Sequence, residues 1–401
     1  NSNDMNNNDD TLSMSEIVCN GPLAGGYYTV GTSPSATYET VKEVFDVLNT
    51  CGINDNVTFA FENGIYNEQI FLDNVIQGTS DSAIITITSV SGNASDVQFI
   101  GNENSVLLNN TGYIQFKNVT IGLEDTTKVK IAVKLDGQIT NVEFYGCNIK
   151  LSPYALGNMY QCVSYAGTSV ATTFLENVRF IKNNISGGRT NIYLTYAAGA
   201  NMDTNSFVVI DSNNLTEAYE KVIFGEQKNI FKSISYNNIV SRATKNTMST
   251  QNGIKINQSI IYDGIVGNKI LMQGCRTLDA MELSAINTKA SMPIGHKNCL
   301  IANNEIRKLV KAESDAVSVY GLVVNDNSCA DIYHNSIYIQ DTCTINALRV
   351  TTSTTGDLSI KNNILMINAD KKNSCYALYM PNGNYYNTTI DYNNYYLNQA
   401  I

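Results

Sequence analysis

The chain has 401 residues, 43% of them hydrophobic and 15% charged, which supplies enough apolar surface to exclude a disordered polymer. A formal net charge of −10 and a pI near 4.8 exclude a surface-wide electrostatic grip on nucleic acid or anionic lipid. No apolar run reaches the roughly 18 to 20 residues of a membrane helix, so no transmembrane segment is expected.

Residues 1–26 read as a flexible polar tail, because Asn1 to Asp10 are almost all Asn, Asp and Ser and suit a tether left after a leader is removed. From residue 27 to 401 a single domain is expected. Its first element is an amphipathic helix over about 38–49, where Tyr38, Val41, Phe45 and Leu48 fall at helical spacing; it would cap one end of the domain. Strands follow at Val57–Phe61, Gly64–Ile70 and Ala83–Thr88. Nine cysteines, an odd number without a CxxC pair, argue against a zinc ribbon or a dense disulfide framework. Most are expected as buried thiols, with one exposed pair open to bridging.

From Cys147 onward an apolar-x-x-Asn-x-apolar motif recurs, with its Asn at Asn183, Asn213, Asn237, Asn268, Asn304, Asn335, Asn362 and Asn393 and an average period of about 31 residues. Two residues after the slot stand Ile149, Ile185, Leu215, Ile239, Ile270, Ile306, Ile337, Ile364 and Tyr395. Three before it the residue is apolar in every repeat but one, where Ser359 stands. A second motif of alternating residues follows in the middle repeats, as in Gly253–Asn257, Ala280–Ser284, Gly321–Asn325 and Ala347–Thr351. Strands alternating with Asn turns give a coil of parallel strands, in which Asn tolerates the left-handed backbone and stacked amides can bond along the axis. A leucine-rich repeat shares the x-x-(Asn/Cys)-x-Leu end. It needs an apolar residue five positions before the slot, where Lys232, Asp263, Asp357 and Thr388 stand.

The helix, the following strand and the segment Gly64, Tyr66, Glu68 and Ile70, with repeated Asn-Asn-x-Ile turns, resemble right-handed parallel β-helix proteins of the pectin-lyase-like superfamily, especially secreted Bacteroidetes members. The resemblance covers about residues 27–401 and implies an all-β, right-handed parallel β-helix, a single-chain solenoid, acting on polysaccharide. It also implies an extracellular, periplasmic or outer-membrane surface location, possible as a lipoprotein. The signatures of those enzymes are mostly missing: there is no Trp, the only histidines are His296 and His334, and Gly295-His296-Lys297 is a poor echo of Gly-His-Gly. Gln340-Asp341-Thr342 and Asp263–Gly267 look like fragments of esterase motifs, but in reverse order.

Equivalent outward positions stack about 4.8 Å apart in such a coil, so the middle residues of the second motif form one exposed row. That row is expected to hold Tyr193, Ile223, Lys255, Glu282, Val323, Arg349 and Tyr379, beside a small polar row of Thr195, Gly225, Asn257, Ser284, Asn325 and Thr351. Aromatic faces, amides and a few ionisable groups suit an extended glycan. Glycoside hydrolysis needs two carboxylates, and here Glu282 is the expected acid with Asp279 or Asp315 as its partner. A lyase would use Lys255 as base and Arg349, or a bound Ca²⁺, to hold a uronate carboxylate. Hydrolysis requires no cofactor. Tyr193, Tyr379, Arg349, Asn257 and Asn325 are the expected binding residues for a polysaccharide or oligosaccharide. The competing reading is a glycan-binding or adhesion coil with no converging carboxylates, in which Lys255 and Glu282 are a solvated surface pair.

Overall fold

The computed structural model describes residues 19–124, 128–154, 157–167, 174–195, 207–243, 250–273, 277–291, 297–309, 317–351, 356–369, 374–381, 385 and 387–399. The fold is an all-β parallel solenoid of about 11 turns, with very little helix. In the middle turns the chain visits three sheets in order. Leu175–Ile181 belongs to the first, Asn184–Ser186 to the second and Thr190–Thr195 to the third, and each pairs in parallel with its counterpart one turn on. Two long strands, Asn104–Lys117 and Ile131–Tyr145, run from the third sheet into the first, with a register shift between Asn109 and Thr111 at the bend. There Asn110 takes a φ of 47°, the left-handed conformation that Asn tolerates and that turns the strand.

The helix spans Val41–Cys51, starting three residues later than Tyr38 because Thr40 caps it: its hydroxyl accepts from the Glu43 N–H at 3.1 Å. Val41, Val44, Phe45 and Leu48 are its buried face. The expected tail is tied down from Cys19 onward, since Cys19 is disulfide-bonded to Cys51 and Leu23 bridges to Ile53; residues 1–18 lie outside the described residues. Cys147, Cys162, Cys299, Cys329, Cys343 and Cys375 are free and buried, and burial pushes Cys147 and Cys162 up to about 12.

The turn between first and second sheets is a column of buried asparagines. The Asn183 amide donates to Asn213 Oδ1, Asn213 to Asn237, Asn237 to Asn268 and Asn268 to Asn304, each at 3.0 Å. Each side chain also donates to a backbone carbonyl of the preceding turn, as Asn304 does to Ile265 at 2.8 Å. The residue before each slot is left-handed: Gly146, Lys182, Ser212, Tyr236, Gly267, Asn303, His334, Asn362 and Tyr392 all have φ between 55° and 69°. Two corrections follow. The slot read as Asn362 belongs to Asn363, which accepts from Asn335 at 3.0 Å and donates to Asn393 at 2.9 Å. With that shift the apolar flanks become Leu365 and Ile360, both buried, while Ile364 points outward at 42% exposure and the Ser359 exception vanishes.

Inside the coil, like residues stack on like. Phe116, Phe144 and Phe180 lie nearly parallel with ring centroids 4.9 and 5.4 Å apart.

Candidate functional site: a carboxylate pair on the third sheet

In the third sheet the strands Thr250–Asn257, Thr277–Ser284, Ser318–Asn325, Thr344–Thr351 and Cys375–Tyr379 lie side by side in register. Simple alternation would put residues three apart on opposite faces. Here two consecutive residues, Ala280 and Met281, both turn inward at 2% and 0% exposure, so Asp279 and Glu282 emerge on the same outer face. The neighbouring strands repeat the device with a small residue in the same place. At Gly253 an added Cβ would meet the Ala280 carbonyl oxygen at 2.4 Å, and at Gly321 the Ala347 oxygen at 2.4 Å, so backbone approaches too closely for a larger side chain.

Two outer columns result. One runs Tyr193, Phe224, Lys255, Glu282, Val323, Arg349 and Tyr379, and the other runs Asn252, Asp279, Tyr320, Asn346 and Tyr376. The register corrects two expectations. Phe224, not Ile223, occupies the first column, and Glu226, not Gly225, pairs with Thr195 and Asn257 in the small polar row. Val222, Ile223 and Phe224 are all buried, so this strand carries no alternation from which its phase could be read.

Lys255, Asp279, Glu282 and Asn252 form one cluster. The Lys255 ammonium donates to Glu282 Oε2 at 2.8 Å, and the Asn252 amide donates to both Asp279 Oδ2 and Glu282 Oε2 at 3.2 Å. The two carboxylate oxygens therefore lie no further apart than twice that length. Asp279 is 7% exposed, and its second oxygen, Oδ1, has no hydrogen-bond partner among the described residues. Burial first, and the neighbouring Glu282 carboxylate second, push Asp279 up to about 7, against the opposing pull of Lys255, the Asn252 amide and Arg349. The pair thus places two carboxyl groups side by side in different environments, one desolvated and one held by a lysine.

Two strands beyond Glu282, the Arg349 guanidinium lies 5.0 Å from the Tyr320 ring centroid and 5.7 Å from that of Tyr379. Tyr376 and Tyr379 are 5.0 Å apart, centroid to centroid. At the other end Tyr193 packs on Phe224 at 5.2 Å. Asn257 and Asn325 stand half-buried in the small polar row, where Asn325 accepts from the Thr351 hydroxyl. The third sheet thus brings Lys255, Glu282, Asp279, Arg349, Tyr379, Asn257 and Asn325 onto one face, with Tyr193 three strands from Glu282. Asp315 and His296 lie outside the described residues.

Sequence reasoning missed Asn252, Tyr320, Asn346 and Tyr376. Their signal is the small residue that follows each: Asn-Gly, Tyr-Gly, Asn-Ala and Tyr-Ala, as in Asp279-Ala280. The esterase-like fragment falls elsewhere: Asp341 is 0% exposed and ion-paired to the equally buried Lys308 at 3.2 Å, a core position closed to substrate. His334 is one of the left-handed turn residues.

A cavity of about 720 Å³ opens on the outer face of the second sheet, lined among others by Glu305, Arg307, Leu309, His334, Tyr338 and Met366. Its Glu305 is ion-paired to Arg307 on the same strand, and no carboxylate pair converges there, so size alone does not draw the chemistry to it. Among the described residues no group of three or more His, Cys, Asp or Glu is arranged to hold a metal ion, and no helix is long and apolar enough to cross a membrane.

No protein-family model matches the chain, and no curated protein matches it. Two solved structures of a GH136 lacto-N-biosidase from Eubacterium ramulus, the selenomethionine derivative and the native protein, are similar over 92% of this chain and 68% of theirs, at 12% identity with TM-scores of 0.39 and 0.36. At that level the likeness carries no inference about residues or reaction.

Proposed function

We propose that this protein is an exported glycoside hydrolase that cleaves an oligosaccharide laid along the outer face of the third sheet. The observation that carries the reading is the shared Asn252 amide: it holds Asp279 and Glu282 together while burial holds Asp279 near 7 and Lys255 pairs with Glu282. Carboxyl groups in unlike environments are what acid and nucleophile require. The roles are the reverse of those expected from sequence. Asp279 is the acid and Glu282 the nucleophile.

Glu282 attacks the anomeric carbon while Asp279 passes its proton to the departing glycosidic oxygen, leaving a glycosyl ester on Glu282. Water then attacks the same carbon, Asp279 takes the water's proton, and the Glu282 carboxylate is released. The course is written as retaining because both carboxylates reach one amide nitrogen at 3.2 Å, whereas inversion needs carboxyls about 6.5–9.5 Å apart to admit a water between them. Elimination is less well served: the Lys255 ammonium is a hydrogen-bond donor to Glu282 and so is poorly placed to act as a base. Tyr320, Tyr376 and Tyr379 supply faces for sugar rings. The Cys19–Cys51 disulfide supports export, because such bonds persist in oxidising compartments.

The test is a panel of oligosaccharides, with and without Ca²⁺, scored for new reducing ends and for the absorbance of unsaturated uronates. Wild type is expected to release reducing ends without absorbance, with activity falling as pH rises through about 7 and Asp279 loses its proton. Glu282→Gln and Asp279→Asn are each expected to lower kcat by 10²-fold or more, an order of magnitude typical of a lost acid–base group or nucleophile. Absorbance would make the protein a lyase. Binding without turnover in the wild type would make it a glycan-binding coil.

A further inference from the structure

The first two strands of the carboxylate site are chemically closed: Lys255 is matched by Glu282, and Asn252 by both acids. Arg349 is not matched. Among the described residues it makes no ion pair, and its Nε is buried without a hydrogen-bond partner. Two aromatic rings flank it, the Tyr320 centroid 5.0 Å and the Tyr379 centroid 5.7 Å from the guanidinium carbon. The guanidinium is a planar fork of N–H donors, and here it stands beside aromatic rings with no carboxylate paired to it among the described residues. That geometry suits a planar or tetrahedral oxyanion bound through two parallel hydrogen bonds. Next to it Asn346, 4% exposed, has its Oδ1 unpartnered, which offers an acceptor to a hydroxyl beside such an anion.

The position has a meaning along the substrate. Arg349 is two strands from Glu282 in the same column, and strands are about 4.8 Å apart, so the fork stands roughly one to two sugar units from the bond cut. The charge balance agrees. The chain carries −10 overall, yet among the described residues Lys255 is ion-paired to Glu282 while Arg349 has no ion pair. A long polyanion would be repelled by the rest of the surface; a glycan with an isolated anionic group would not.

We propose that Arg349 forms an anion-recognising subsite, and that the protein selects oligosaccharides carrying a carboxylate or sulfate substituent one or two units from the scissile bond. This takes from the preceding reading only that the glycan lies along the third sheet.

Binding is measured by calorimetry on the Asp279→Asn protein, which keeps Glu282 on Lys255 and is too slow to consume the probe. The probes are matched pairs: glucuronic- and galacturonic-acid oligosaccharides against the same compounds after carboxyl reduction, and sulfated galactan oligosaccharides against their desulfated forms. The charged member of at least one pair is expected to bind about 10- to 100-fold more tightly, the range of a charge-assisted bidentate contact, and the pair that discriminates tells carboxylate from sulfate. Adding Arg349→Gln should erase that difference within each pair. Arg349→Lys, which keeps charge but loses the fork, should recover only part of it. Circular dichroism and melting temperature establish that each variant is folded. Equal affinity within every pair, no binding of any charged member, or a preference untouched by Arg349→Gln would each overturn the proposal. Charge-selective binding by a wild type that hydrolyses nothing would sustain it and overturn the hydrolase reading, whereas hydrolysis without charge preference would do the reverse.

Discussion

Burial, and a second carboxylate beside it, push the Asp279 carboxyl up into the neutral range. This has a consequence for stability that is independent of any substrate. Its folded pKa, about 7, lies above the ordinary aspartate value of 3.8, so between those values the folded protein binds more protons than the unfolded chain. Stability contributed by this group is therefore present at low pH and is lost as pH rises towards 7. Asp279→Asn removes the ionisation and keeps the shape. At pH 8 it is expected to raise unfolding free energy, on the order of 2 kcal/mol, and near pH 4 to leave it little changed, as read from denaturant melts at both pH values. A stabilisation of equal size at both would mean that burial does not perturb this carboxyl. The acidic pair itself was legible in the sequence, as Asp279 and Glu282 three apart. Which of the two is more deeply buried was not, because Asp279 at 7% exposure sits beside the inward Ala280 and Met281, a departure from alternation that spacing alone does not reveal.

At the scale of the strand and turn, the asparagine column is the most demanding element of the coil. Asn304 receives the backbone and side-chain N–H groups of Asn268 at 3.0 Å and donates to Ile265 and Asn335 at 2.8 and 2.9 Å. Asn304→Ala leaves several buried groups without partners and is expected to cost about 3–5 kcal/mol. Asn393→Ala, at a half-buried position, is expected to cost less than half as much. Similar losses at both would show that burial is not what makes the column strong. The column was readable from sequence at Asn183, Asn213, Asn237, Asn268, Asn304, Asn335 and Asn393, five of which stand in Asn doublets. It was misread by one position at Asn362-Asn363, since a doublet followed by Ile364-Leu365 fits the motif in either phase and only packing chooses Leu365 for the interior. The same ambiguity misplaced Ile223 for Phe224. A run with both neighbours apolar has no period-two signal, and the adjacent strand's Lys255 sets the register instead.

Across the whole molecule, each coil touches mainly the coils before and after it, so stability is closer to a sum of local terms than to one global transition. The candidate site draws on five consecutive strands of the third sheet, from Asn252 to Tyr379. Asn304→Ala should therefore raise amide hydrogen exchange in residues 253–360 while residues 57–121 keep their protection, and ligand binding should fail at a lower denaturant concentration than the loss of far-ultraviolet circular dichroism. Uniform acceleration across the chain would mean that the coil unfolds as one unit. The asparagine column also has a direction. Every link from Asn183 to Asn393 runs from an N–H on the earlier coil to an oxygen on the later one. A coil that has just formed thus presents donors, and the oxygen that answers them arrives 24 to 36 residues later in the chain. Each asparagine amide also donates back to a carbonyl of the coil before it, as Asn304 does to Ile265, so a coil is stitched in both directions and neither neighbour can leave without stranding the other's buried groups.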